Sequence, residues 1–108
     1  MSQGKKMKHD LFKGLIRLHI LYHASKEELY GLWVIEELRR HGYNLSPGTL
    51  YPILHKMEER GYLKSVKELV NGKIRRVYRI SPDGEDLLKE ARIKVKELFG
   101  EMFENEKK

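Results

Sequence analysis

Apolar residues recur along the chain in two rhythms, and the change of rhythm outlines the fold. From about His9 to His23, Leu11, Leu15, Leu18 and Tyr22 fall at helical spacing, with Phe12, Ile16 and Ile20 beside them. That apolar face is wider than one small core needs. Ser25 with Glu28 matches a capping box and predicts a second helix from near Lys26 to Arg40. Its inward residues would be Leu29, Ile35, Leu38 and either Leu32 or Trp33, and Gly42 would end it. Ser46 caps a third helix over 46–60, with Pro47 at the first position, where a missing N–H costs nothing. Leu50, Ile53, Leu54 and Met57 gather on one face of that helix. Gly48, Tyr51, Pro52, His55 and Glu59 lie opposite, with Thr49 and Lys56 on the flank.

The rhythm then shortens to two. "YLKSVKELV" and "KIRRVYRI" flank Asn71-Gly72, the strongest short hairpin signal. With those two residues as the loop, Val70 faces Lys73, Leu69 faces Ile74, Glu68 faces Arg75, Val66 faces Val77 and Leu63 faces Ile80. Charge and apolarity both match in that register. Ser81 and Pro82 restart helix, predicted to run to Asn105, ~34 Å at 1.5 Å per residue. Leu88, Ala91, Val95, Leu98 and Met102 form a stripe on it, widened by Leu87, Phe99 and Phe103.

The resulting class is mainly α with a β-hairpin: a winged helix-turn-helix followed by a long C-terminal helix. Residues 1–8 read as a flexible basic arm, 9–81 as the winged domain, and 82–108 as a C-terminal dimerisation helix. The terminal stripe could fold back or pair with another copy. Pairing is favoured because the first helix is also over-apolar and one core cannot absorb both. The residues expected at that interface are Leu11, Leu15, Leu18, Leu88, Ala91, Val95, Leu98, Phe99, Met102 and Phe103.

Composition narrows the function. The chain has 108 residues, room for one domain, and no cysteine for disulfides or thiolate metal sites. No apolar run approaches the ~18 residues of a membrane span, and the basic N-terminus lacks a signal-peptide core. A cytoplasmic protein is expected. Net charge is +6 and unevenly placed: residues 55–80 carry eight basic and three acidic side chains, whereas 81–108 are net acidic. A basic patch on a small domain points to a polyanion.

In a helix-turn-helix the second helix of the motif reads the major groove with its N-terminal residues. That assigns Ser46, Gly48, Thr49, Tyr51, Pro52, His55 and Lys56 to double-stranded DNA, and Asn71, Gly72, Lys73, Arg75 and Arg76 to a wing on phosphates or the minor groove. Against this, Tyr51 and Pro52 could simply pack, and the arginines could decorate a solvated strand. A non-specific or architectural nucleic-acid binder and a protein-interaction module are the alternatives. His19 and His23 stand at metal-ligand spacing, but without the acid of H-E-x-x-H or any cysteine, so no metal or cofactor is expected. No catalytic pattern occurs, and an enzyme is not expected.

The stretches "GTLYPILHKMEERGYL" (48–63) and "RRVYRISPDG" (75–84) resemble the PadR family of transcriptional regulators, in its short form with a single C-terminal helix. The resemblance implies a winged-helix homodimer, usually a repressor, joined through its last and first helices. It also implies DNA contacts on the third helix and, in many members, release by aromatic or drug-like molecules. Some multidrug-binding members stack ligands on a tryptophan of the last helix, where this chain has only Phe99 and Phe103.

Overall fold

The computed structural model describes residues 2–104. The order is α1 (Ser2–Ala24), β1 (Leu29–Tyr30), α2 (Gly31–Arg40), α3 (Pro47–Glu59), β2 (Leu63–Val70), β3 (Lys73–Ile80) and α4 (Pro82–Phe99), closed by a π-helical segment, Gly100–Glu104. Helix thus begins at Ser2 instead of after the flexible arm expected over residues 1–8. At the other end α4 passes into π-helix before Asn105, which lies outside the described residues.

The hairpin forms in the expected register, from Leu63 opposite Ile80 to Val70 opposite Lys73. Asn71 and Gly72 both adopt positive φ, 51° and 79°, as a two-residue turn matching strand twist requires. The sheet has a third strand that periodicity did not announce. Leu29 and Tyr30 pair with Tyr78 and Val77, giving the order β1-β3-β2. This short strand delays α2 to Gly31. Ser25 does not cap that helix; its Oγ donates to the Tyr22 carbonyl at 2.6 Å and closes α1. Glu28 leaves the expected capping role to pair with Arg79. Leu32 points outward and Trp33 lies at the surface against the His23 ring, centroids 5.3 Å apart, while Gly31, Val34, Ile35, Glu37 and Leu38 make the buried face of α2.

The core lies where α1, α2 and α3 meet the base of the hairpin. Ile20, Leu29, Leu38, Leu50, Leu54, Leu63 and Val77 are its most enclosed members. Ser81 fixes the exit into α4. Its buried Oγ donates to the Gly61 carbonyl at 2.5 Å and accepts from the Gly84 amide at 3.0 Å. Beyond Leu88, α4 leaves the globule, and the molecule measures 58 × 35 × 24 Å along its principal axes.

A buried acid ties α1 to α2. Glu37 accepts from Arg40 Nη1 at 2.8 Å and His41 Nε2 at 3.0 Å, with His23 Nε2 at 3.4 Å. The hydrogen bond from His41 holds the Glu37 carboxyl below its ordinary 4.5, against the opposing effect of burial. His19 sits against His41, ring centroids 4.7 Å apart. Burial, then the charges of His41 and His23, hold it below its ordinary 6.5, while Glu37 pulls the other way. The unfolded chain therefore takes up the His19 proton before the folded chain does. Stability present above pH 6.5 is lost as pH falls below it, and the Glu37 contribution disappears further down, below 4.5. Thermal melts from about pH 8 to about pH 5 should show Tm falling once pH passes ~6.5, and His19→Gln should flatten that first decline. Identical profiles for the two proteins would contradict the assignment to His19.

Candidate nucleic-acid interface

Helix α3 is built to present one side. Ser46 accepts from the Thr49 amide at its N-terminus, Pro47 occupies the first turn, and Leu50, Ile53, Leu54 and Met57 bind the helix to the core. The other side is left to solvent: Gly48, Thr49, Tyr51, Pro52, His55 and Lys56 are all exposed. Pro52 lies inside the helix on that open side. Ser46, Pro47, Gly48 and Pro52 are thus gathered at the exposed N-terminal half of the helix. His55 faces Glu59, at 3.9 Å on the surface.

Tyr51 does more than face outward. Its ring covers Gly31 at the start of α2, where an added Cβ would lie 2.4 Å from Tyr51 Cε1 and 2.5 Å from its hydroxyl oxygen. Packing and presentation, which look like alternatives in the sequence, are therefore combined in one side chain. The absence of a Cβ at residue 31 sets where the phenol stands on α3.

The wing carries charge on both faces. Strand alternation puts Arg76 with Lys67 and Ser65 on one face, and Arg75 with Glu68 and Lys73 on the other. Arg76 Nη1 donates to Ser65 Oγ at 2.9 Å, and that hydroxyl donates to Glu58 Oε2 of α3 at 2.6 Å. This relay ties the wing's cation to α3. Arg75 is half-buried, whereas Asn71, Gly72, Lys73 and Arg76 are exposed. The tip also exposes the cross-strand pair Leu69 and Ile74.

The residues expected between copies are placed apart from this surface. Leu11, Leu15, Val95, Leu98, Phe99, Met102 and Phe103 are exposed, Leu18 and Ala91 half-buried, and Leu88 belongs to the core. A groove of about 650 Å³ runs between α1 and α4, walled by Leu15, Leu18, Tyr22, Val95 and Phe99. At its end the Phe99 ring meets Phe103, centroids 5.0 Å apart and planes tilted by 48°. Sequence reasoning passed over Glu37, Gly31 and Gly84. Only the first left a signal, in the i, i+3 and i, i+4 spacing to Arg40 and His41.

Among the described residues no group of three or more His, Cys, Asp or Glu is arranged to hold a metal ion, and no helix is long and apolar enough to cross a membrane. Comparison with known proteins agrees with the geometry. A family model described as the transcriptional regulator PadR-like family matches residues 20–90. Transcriptional regulator Rv3488 of Mycobacterium tuberculosis is 49% identical over 91 residues, 84% of this chain and 85% of that protein. A PadR family transcriptional regulator from Eggerthella lenta superposes with a TM-score of 0.75 at 26% identity, covering 96% of this chain and 95% of the other. A PadR-like transcriptional regulator from Bacillus cereus gives 0.70 at 29% identity, covering 86% and 88%.

Proposed function

This chain belongs to the PadR-like family of transcriptional regulators, which act by binding DNA and not as enzymes, and from that premise we propose that it is a homodimeric repressor of an inverted-repeat operator. The observation that carries the reading is the division of α3. Its apolar side is buried, and its first two turns hold Thr49, Tyr51, Pro52, His55 and Lys56 open to a major groove. Lys73 and Arg76 on the wing grip the flanking backbone. The exposed stripes of α1 and α4 supply the second copy's contact, and two-fold pairing presents two reading helices to one duplex. The apolar groove between those helices supports release of DNA by a small aromatic effector.

The two parts of the surface should respond differently to substitution. Lys73→Glu with Arg76→Glu should weaken binding to every duplex and make log Kd less steep in log salt by roughly 0.9 for each phosphate left without its cation. Thr49→Val or Tyr51→Ala should instead change which sequences are preferred, by about 1–3 kcal/mol at the affected base pair. Quantitative binding to a panel of single-base operator variants separates the two. Uniform weakening by the Thr49 and Tyr51 changes would count against base reading by α3.

A further inference from the structure

A second concave surface adjoins α3, on its flank towards α1. It is a cleft of about 630 Å³. One wall holds Lys5, Lys8, Lys13 and Arg17 of α1, and the other holds Lys56 of α3 and Arg60 at its C-terminal cap. Its floor is apolar, where the Phe12 and Tyr43 rings meet edge to face at 6.2 Å. No acidic side chain lines it, and among the described residues none of the six cations has an ion-pair partner. Six like charges held along one groove repel one another, and a bound polyanion relieves that repulsion.

We infer that this cleft receives the phosphate backbone of the DNA whose bases α3 reads, as a third gripping element beside α3 and the wing. The inference deepens the DNA-binding reading and rests on it. Charge complementarity names the class of ligand, and the layout selects an extended one. From Lys5 to Arg17 the α1 cations span twelve residues of helix, ~18 Å, instead of converging on one point. A backbone strand presents a phosphate every ~3.4 Å of duplex axis, so several fall within that span. Continuity points the same way. Thr49, Pro52 and Lys56 belong both to the reading face of α3 and to the lining of the cleft. A strand leaving the reading face therefore enters the cleft past Thr49 and Lys56 without crossing an acidic side chain of its lining. Helical structure over residues 4–8 makes this possible, because it extends α1 far enough to bring Lys5 and Lys8 to the cleft beside Lys13 and Arg17.

The test measures the salt dependence of binding to a mixed-sequence duplex of about 30 bp, which needs no knowledge of the operator. The full-length chain is compared with a Lys8→Gln/Lys13→Gln/Arg17→Gln variant, and Tm and oligomeric state are checked for both. The expected result is a slope of log Kd against log salt shallower by about 2–3 per bound protomer, with Tm unchanged. The charge-keeping Lys8→Arg/Lys13→Arg/Arg17→Lys variant should retain the wild-type slope. An unchanged slope in the glutamine variant would overturn the inference. So would weaker binding at the wild-type slope, which would place the three residues in folding. Tripolyphosphate binding that the glutamine variant loses, with the DNA slope intact, would give the cleft to a small anion and overturn it too. The two readings fail separately. A wing variant with a reduced slope beside an unaffected α1 variant removes the cleft alone, whereas a wild-type protein without duplex affinity removes DNA binding itself.

Discussion

Leu98→Glu combined with Phe99→Glu should convert the protein to a monomer and raise Kd for an operator with two half-sites by about 100-fold or more. Both side chains are more than half exposed, 54% and 51%, so the single chain loses almost no core packing when they become charged. On the proposed dimer they would lose the second copy, because two carboxylates per chain would be buried on each side of a two-fold contact. Affinity for the full operator then drops towards that of one half-site, since the second binding event is no longer intramolecular. Affinity for an isolated half-site should stay as it was, because α3 and the wing lie elsewhere. Sedimentation and binding to one-half-site and two-half-site duplexes together test the claim. A variant that still sediments as a dimer would move the interface away from α4.

Gly84→Ala carries the largest expected effect on folding. At this position an added Cβ would lie 2.2 Å from the Tyr62 carbonyl oxygen and 2.7 Å from Ile80 Cγ1. The first obstacle is backbone, held by the Ser81 amide at 3.1 Å, and cannot rotate aside as a side-chain end could. Relief requires α4 to lift from the base of the hairpin, which disturbs the Ser81 bonds to Gly61 and Gly84 at the same place. A loss of about 2–3 kcal/mol, on the order of 10 °C in Tm at fixed protein concentration, is expected. Gly31→Ala is the informative contrast. There the obstacle is the free end of Tyr51, so the ring should swing away, sparing stability while altering DNA preference. Equal Tm for Gly84→Ala and wild type would mean that the α4 junction is looser than its contacts imply.

The hairpin was legible because Asn71-Gly72 sets the phase and every opposed pair then had to match. Helix α3 was legible because its cap, its first-turn proline and its apolar face all agree. β1 left no periodic trace, since two residues are too few to show one and their partners Tyr78 and Val77 are remote in sequence. The Ser25–Glu28 spacing misled for a related reason. A serine hydroxyl serves equally well to cap the next helix or to close the last, and the pairing of Leu29 and Tyr30 decided which. Without a side-chain cap, α2 starts where β1 ends. Glu37 reads as a solvated acid on an amphipathic helix; its burial depends on His23, which only the packing of α1 brings near. Which residues of α3 are exposed could be chosen by face alone. The dependence of Tyr51 on Gly31 could not, because it joins two helices whose relative placement no local pattern encodes.

The central claim is sequence-specific recognition of duplex DNA by a two-fold dimer. Selection from a random pool of duplexes at near-physiological salt, followed by sequencing of what the purified protein retains, tests it most directly. An enriched inverted repeat, with half-sites about one helical turn apart, is the result predicted. Retention without enrichment, or no retention at all, would contradict it.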